Sequence, residues 1–173
     1  MLRRATAADL PAVLAMKNLA WRETYGHLLS ERYLAGKDEV LPLAVEAWTD
    51  LLDQPGTEVW LAEEAGGTVV GMATAGPAED EALGPDGREL VALYVLARRQ
   101  GTGLGHRLLE AALADAPARL DVLVGNDRAV RFYERHGFRA EGEPVALGGP
   151  WGSAREQRMV RGGARPGGAE SSA

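Results

Sequence analysis

The most chemically distinctive segment of the chain is a glycine-rich turn, Gln100-Gly101-Thr102-Gly103-Leu104-Gly105. It follows an apolar, strand-like run over 90–96 and leads directly into leucines at helical spacing. Such a turn leaves backbone N–H groups without partners, and the helix N-terminus adds a partial positive charge. Because glycine has no Cβ, a phosphate can approach the backbone closely. The turn therefore predicts a phosphate-bearing ligand, although a tight reversal of the chain would also explain the glycines.

The turn does not match two common phosphate-binding motifs. A P-loop ends in Lys-Ser or Lys-Thr, and neither dipeptide occurs in the chain. A dinucleotide-binding fingerprint has the spacing Gly-x-Gly-x-x-Gly near the start of a parallel unit. Here the glycines fall at 101, 103 and 105, past the middle of the chain. The P-loop and the dinucleotide-binding fingerprint can therefore both be set aside.

A second motif lies downstream, in the block 126–138, which reads Asn-Asp-Arg-Ala-Val-Arg-Phe-Tyr-Glu-Arg-His-Gly-Phe. Together with the turn, it resembles the GNAT superfamily of acyl-CoA-dependent N-acyltransferases. That family combines Gln/Arg-x-x-Gly-x-Gly/Ala with a later Asn-x-x-Ala-x-x-Phe-Tyr-x-x-x-Gly-Phe. The resemblance covers roughly residues 1–161, and its specific motifs lie within about 88–138.

The order of predicted elements is β-α-α-β-β-β-α-β-α-β-β, with helices on both faces of the sheet. The resemblance implies an α/β (α+β) fold of the GNAT type. Its mixed, mostly antiparallel sheet has six to seven strands and about four flanking helices. The fourth and fifth strands splay apart around the pantetheine arm of the cofactor. We expect one domain over 1–161, and the small polar residues of 162–173 predict a disordered tail.

The resemblance implies acetyl-CoA as co-substrate, with no metal. The strand before the turn would hold the thioester and pantetheine through its backbone, and the turn would hold the pyrophosphate. Asn126 would contact the pantetheine, although a helix N-cap alone also explains an asparagine there. Arg98 and Arg99 could meet phosphates or be merely solvated. The expected cofactor-binding residues are Leu93, Tyr94, Val95, Gln100, Gly101, Thr102, Gly103, Leu104, Gly105, His106, Asn126 and Tyr133.

Two residues are candidates for proton transfer. The resemblance assigns Tyr133 as the donor to the departing thiolate, since a phenol with a pKa near 10 can protonate it; the alternative is an aromatic core residue. Glu89 is the candidate base near the amine. Strand alternation would place it on one face with Val91, Leu93 and Val95. The alternative is a solvated glutamate at the start of a strand.

The acceptor site is expected to include Trp21, Tyr25, Glu89 and Trp151, although the three aromatic residues could simply be core. The acidic loop 79–81 predicts attraction of a small cationic amine, either a metabolite or an antibiotic. Two alternatives remain open. One is acetylation of a protein N-terminus or lysine, and the other is an acyl-CoA-binding regulator without catalysis.

Composition limits the remaining possibilities. The 173 residues suit one domain, and they contain no cysteine that could act as nucleophile or metal ligand. A formal net charge of −6 argues against nucleic acid as the main partner. No apolar run approaches the roughly 20 residues that span a bilayer. The sequence therefore predicts a cytoplasmic enzyme without a membrane partner, and the resemblance is compatible with a homodimer.

Overall fold

The computed structural model describes residues 1–27 and 29–162, apart from the side chain of Pro150. Except for Gly162, the tail predicted over 162–173 lies outside the described residues. The strands are β1 (Leu2–Arg4), β2 (Glu58–Glu63), β3 (Val69–Pro77), β4 (Arg88–Val95), β5 (Ala118–Leu123), β6 (Arg139–Ala146) and β7 (Arg155–Arg161). The α-helices are α1 (Leu10–Tyr25), α2 (Glu31–Glu39), α3 (Leu41–Leu52), α4 (Leu104–Leu113) and α5 (Asp127–Arg135).

The described strands form one sheet in the order β1-β2-β3-β4-β5-β7-β6. All neighbours pair antiparallel except β4 and β5, which are parallel. This confirms the predicted mixed, mostly antiparallel sheet. The helix count differs by one, because the region predicted as one interrupted helix is two. Pro42 lies in the first turn of α3, where a missing N–H costs nothing, so it begins a new helix after Val40.

Helices pack on opposite faces of the sheet. A Cβ at Gly71 of β3 would lie 2.9 Å from the Leu108 side chain, so α4 covers the face on which Gly71 lies. Trp21 of α1 lies 6.3 Å from the ring of Tyr94, whose cross-strand partner Met72 points to the other face. Leu108 and Met72 are both fully buried. Each such side chain contributes roughly 1.5–3 kcal/mol of burial free energy.

The sheet opens between β4 and β5. These strands pair only at Arg88↔Ala118 and Glu89↔Arg119, close to the start of each strand. Beyond that point β4 continues to pair with β3, and β5 continues to pair with β7. The facing edges of β4 and β5 therefore have no strand partner over most of their length. The predicted splaying of the central strands is confirmed.

A β-bulge interrupts β4 at Val91. Register with β3 passes from Ala75↔Leu90 to Thr74↔Ala92, which leaves Val91 without a partner. The Val91 side chain is 52% exposed, unlike its buried neighbours. A bulge of this kind bends the strand and increases its local twist. It lies at the point where β4 turns away from β5.

The bulge makes the predicted face of Glu89 wrong. Strict alternation would place Glu89 with Leu93 and Val95, but the extra residue shifts the alternation by one position. Glu89 therefore lies on the same face as Tyr94. Nothing in the residue types around Val91 marks a bulge, so alternation was the only pattern available from sequence.

Candidate active site

A cavity of about 690 Å³ lies where β4 and β5 separate. Its volume is in the range of small-ligand sites. Its walls come from β4, β5, the end of α1, the glycine-rich turn and α5. The lining residues used below are Glu23, Tyr25, Leu93, Tyr94, Val95, Gln100, Gly101, Gly103, Gly105, His106, Asp121, Asn126, Arg128, Phe132, Tyr133, Arg135 and His136.

The edge of β4 presents backbone donors to this cavity. The N–H of Leu96 donates to the Val70 carbonyl at 3.0 Å, so it points towards β3. Because successive amides alternate in direction, the N–H groups of Leu93 and Val95 point the other way, into the gap. The Val95 carbonyl lies on that side too, since it accepts from Gln100 Nε2 at 2.9 Å. The structure thus places free donors at both positions.

The glycine-rich turn ends in an uncapped helix. Gly101 and Gly103 have φ of 77° and 80°, in the left-handed region that favours glycine. Gly103 is the N-cap of α4 and supplies no side-chain cap, so N–H groups of the first turn lack that partner. A Cβ at either glycine would meet nothing within 4 Å. The space above the turn is therefore open to an anion.

Two predicted members of the turn lie outside the cavity lining. Thr102 and Leu104 do not line it, and the Thr102 hydroxyl instead donates to the Arg99 carbonyl at 2.7 Å. Gly105 does line it, and a Cβ there would lie 3.4 Å from the Phe132 ring. The turn therefore packs directly against α5, which brings the two sequence motifs together.

Arg98 and Arg99 are not placed for phosphates. Both donate to the carboxylate of Glu64, at 3.0 Å and 2.5 Å, and neither lines the cavity. Hydrogen bonds from Arg98 and Arg99 hold the pKa of Glu64 below its usual range. Glu23 of α1 has a role that sequence reasoning missed. It accepts the Ala97 N–H at 2.7 Å and so fixes the start of the turn.

The basic residues that do line the cavity come chiefly from α5. They are Arg128, Arg135 and His136, joined by His106 from the first turn of α4. His136 is hydrogen-bonded to His106, with 3.0 Å between Nε2 and Nδ1. Sequence reasoning singled out only His106. Arg135 and His136 follow Arg128 by seven and eight residues, a spacing that places all three on one face of a helix. Sequence reasoning missed this signal.

Tyr133 is both a core residue and a cavity residue. Its side chain is 8% exposed, and its ring packs edge-on against Phe132 at 5.2 Å and Phe138 at 5.7 Å. Burial, with a smaller contribution from Tyr25, raises the pKa of the Tyr133 phenol well above its ordinary value. Both interpretations drawn from the sequence are therefore compatible. The phenol therefore carries its proton at neutral pH and is a weaker acid than an exposed tyrosine.

Asn126 also combines two functions. Its side-chain oxygen accepts the Ala129 N–H at 3.2 Å, so it caps α5 as predicted. Its amide nitrogen donates to the Tyr25 hydroxyl at 3.5 Å. Burial raises the pKa of Tyr25, although this hydrogen bond opposes the rise. Asn126 therefore links the last residue of α1 to the start of α5 within the cavity lining.

Glu89 is not part of the cavity lining. Its carboxylate accepts from both Nε and Nη2 of Arg119, at 2.9 Å and 2.5 Å. Both hydrogen bonds fall on Oε2, so Arg119 holds the Glu89 carboxylate at a position outside the cavity lining. Among the described residues, the cavity lining contains only two carboxylates, Glu23 and Asp121. Glu23 already accepts from Ala97 at 2.7 Å, whereas Asp121 accepts from Arg158 Nε only across a longer 3.4 Å, so Asp121 is the better candidate base.

The acidic loop is also placed away from the cavity. Glu79, Asp80 and Glu81 line a separate, shallow depression, and none of them lines the main cavity. Asp80 accepts the Ala82 N–H at 3.0 Å and lies 3.8 Å from Arg119. The prediction that this loop forms the mouth of the acceptor site is therefore wrong.

The predicted acceptor aromatics do come together. Trp21 lies 5.8 Å from Tyr25 and 5.4 Å from Trp151, between ring centroids. Tyr33 and Tyr94 complete this aromatic cluster, at 6.1 Å from Trp151 and 6.3 Å from Trp21 respectively. Of this cluster, only Tyr25 and Tyr94 line the cavity, so these two residues connect the cluster to it.

Two ammonium groups lie against the aromatic cluster. Lys17 and Lys37 each place Nζ 4.8 Å from the Trp21 ring centroid. Burial and the charge of Lys37 lower the pKa of Lys17 to about 8. Charge near the cluster is therefore positive, whereas the sequence interpretation expected it to be negative.

Across residues 1–27 and 29–162, no three His, Cys, Asp or Glu side chains are grouped to hold a metal ion. Within the same residues, no helix has the length and apolarity to cross a membrane.

Comparison with known proteins agrees with this geometry. Residues 14–138 match the acetyltransferase (GNAT) family model. The chain is 32% identical over 144 residues to the probable N-acetyltransferase Rv2775 of Mycobacterium tuberculosis, covering 82% of this chain and 80% of that protein. It is 30% identical over 167 residues to the L-methionine sulfoximine/L-methionine sulfone acetyltransferase of Pseudomonas aeruginosa, covering 87% of each.

A solved structure gives the same fold. The chain superposes on yncA from Salmonella typhimurium, solved with its cofactor acetyl-CoA, with a TM-score of 0.67 and 23% identity over 98% of both chains. The chain therefore belongs to the acetyltransferase (GNAT) family, and the reaction it catalyses is an acyl transfer.

Proposed function

We propose that this protein transfers an acetyl group from acetyl-CoA to a small primary amine, in a complex that holds both substrates. The observation that carries the proposal is the cavity itself. It runs from the free N–H groups of Leu93 and Val95 to an uncapped helix N-terminus at Gly103. The arm of acetyl-CoA is extended, contains amides and ends in phosphates, so it matches the order of these backbone donors. The fold relative yncA is solved with this cofactor.

The residues present fit acetyl-CoA along its length. The open N–H groups after Gly103 suit a pyrophosphate. The edge of β4 can pair with the pantetheine as a further strand would, through Val95. The N–H of Leu93 is left for the thioester carbonyl. Bound acetyl-CoA supplies the activated acyl group, whose carbonyl carbon the amine attacks.

Proton transfer is assigned to two cavity residues. Tyr133 gives its proton to the departing thiolate as the C–S bond breaks and the C–N bond forms. The N–H of Leu93 stabilises charge developing on the carbonyl oxygen. Asp121 accepts the proton that the amine loses, directly or through one water. No covalent protein intermediate is needed, which suits a chain without cysteine.

The charges around the aromatic cluster favour an acceptor with a single amine over a polyamine. Lys17 and Lys37 lie on Trp21, and the acidic loop does not reach the cavity. The Pseudomonas relative is named for amino-acid-sized acceptors, L-methionine sulfoximine and L-methionine sulfone. We therefore place the acceptor in that size class, which is smaller than an antibiotic such as an aminoglycoside.

A thiol-release assay tests this proposal. Acetyl-CoA is incubated with the protein and L-methionine sulfone, spermidine, or a short peptide with a free N-terminal alanine, and free CoA thiol is measured with product mass. We expect amine-dependent release with the amino-acid-sized acceptor and little with spermidine. Release with the peptide, but with neither of the other two acceptors, would instead indicate a protein acetyltransferase. Binding of acetyl-CoA with no release for any amine would indicate a regulator without catalysis.

A further inference from the structure

The lining of the cavity changes in charge along α5. At the start of α5, Asn126 is hydrogen-bonded to Tyr25. At the other end His106, in the first turn of α4, contacts His136 at the end of α5. Of the four basic residues that the described part of the chain contributes to the lining, Arg128 lies in the first turn of α5, whereas Arg135, His136 and the adjoining His106 lie at its far end. An anionic part of a ligand is therefore favoured at the far end of α5.

The hydrogen bonds of the histidine pair fix which atoms donate. His136 Nδ1 lies 2.7 Å from the Phe132 carbonyl, which can only accept, so Nδ1 carries the hydrogen. In neutral His136 Nε2 is then an acceptor, and His106 Nδ1 must donate to it across 3.0 Å. The other ring nitrogen, His106 Nε2, lies 3.6 Å from Glu110 Oε2. The pair thus holds His106 in one orientation at the end of the turn.

Arg135 is the cation beside this pair. It lines the cavity, and among the described residues it forms no ion pair with a carboxylate. Arg98 and Arg99 differ, since Glu64 neutralises both. A guanidinium that lines a cavity and has no carboxylate partner can bind a phosphate through bidentate hydrogen bonds.

Acetyl-CoA carries a second phosphate group that the turn does not account for. With its acyl end at Tyr133 and its pyrophosphate over Gly103, the remaining ribose 3′-phosphate must continue past the turn, at the basic end. We propose that Arg135, with His106 held by His136, binds this 3′-phosphate and makes the protein selective for CoA over its dephosphorylated form. The inference rests on the proposed function, since it assumes that acetyl-CoA occupies the cavity.

Calorimetry with a matched ligand pair tests the proposal. Acetyl-CoA and acetyl-3′-dephospho-CoA are titrated into the wild type, Arg135→Gln and His106→Gln. A charge-assisted phosphate contact predicts about 10- to 100-fold tighter binding of acetyl-CoA by the wild type. Arg135→Gln should reduce that ratio to about threefold or less, with the affinity for the dephosphorylated ligand unchanged. His106→Gln should reduce the ratio by a smaller factor.

Arg131→Gln is the control, because Arg131 is exposed on the same helix and does not line the cavity. It should keep the wild-type ratio. Equal binding of the two ligands by the wild type would overturn the 3′-phosphate site while leaving the proposed function intact. A ratio that survives in Arg135→Gln would also overturn it. Failure of the wild type to bind either ligand would instead reject the proposed function.

Discussion

Burial gives Tyr133 its chemistry as well as its packing. The apolar surroundings that exclude water also raise the pKa of the phenol, so it keeps its proton throughout the pH range in which an amine becomes neutral. Phe132 and Phe138 hold the ring from two sides. The same rise in pKa makes the phenol a weaker acid, so Tyr133 gives up its proton only as negative charge builds on the departing sulfur.

Replacing Tyr133 by phenylalanine tests this role, because the change keeps the ring and removes only the hydroxyl. We expect turnover to fall on the order of 10²-fold, since a positioned acid typically supplies that much. Affinity for acetyl-CoA should change by less than about threefold, because the main contacts of the cofactor are with the backbone. Steady-state kinetics together with calorimetry measure both quantities. Unchanged turnover would remove Tyr133 from the mechanism and leave it a core residue.

Asp121 and Glu89 provide a matched pair of carboxylates. Asp121 lines the cavity and lies 3.4 Å from Arg158, whereas Glu89 lies outside the cavity lining and is held by Arg119 at 2.5 Å. We expect Asp121→Asn to lower the rate at neutral pH by about 10- to 100-fold, with recovery as the pH rises and the amine loses its proton to solvent. Glu89→Gln should keep the maximal rate within about twofold. The pH profiles of both variants decide the assignment, and a reversed pattern would return the base to Glu89.

At the scale of elements, the site depends on the separation of two neighbouring strands, β4 and β5. The bulge at Val91 turns β4 away from β5, and this leaves the donors of Leu93 and Val95 unpaired. In an isolated sheet such an edge would pair with another strand. Here the opening faces the cavity, where the arm of a ligand can satisfy those donors.

The sequence predicted these elements where local chemistry determines them. The glycines at 101 and 103 require left-handed backbone, and Asn126 both caps and begins α5, so the turn and the motif helix were identified correctly. The bulge was missed because alternation assumes an uninterrupted strand, and Val91 resembles its neighbours in type. The extra residue at Val91 is the reason that the predicted face of Glu89 was wrong.

At the scale of the whole molecule, long-range packing determined what sequence could not. Trp21 and Trp151 meet although they are far apart in the chain, and this followed only from the family resemblance. The positions of the charged side chains could not be predicted from the sequence, because a formal net charge does not say where each charge lies. Glu64 neutralises Arg98 and Arg99, while Arg135 remains available in the cavity, and these pairings exist only in the folded chain.

Binding of acetyl-CoA across the opening between β4 and β5 is the claim on which the function depends. Calorimetry of acetyl-CoA with wild type, Gly103→Glu and Gly103→Ala tests it most directly. Both variants place a side chain at a φ of 80° with nothing within 4 Å of the new Cβ, so they share the same backbone strain. Only glutamate adds a negative charge over the turn.

The wild type should bind acetyl-CoA with one site per chain. Gly103→Glu should bind it at least about 100-fold more weakly, because apposed like charges cost several kcal/mol. Gly103→Ala should lose much less, and thermal unfolding of both variants verifies that they are folded. If folded Gly103→Glu bound acetyl-CoA as tightly as the wild type, the phosphates would lie elsewhere and the assigned active site would be wrong.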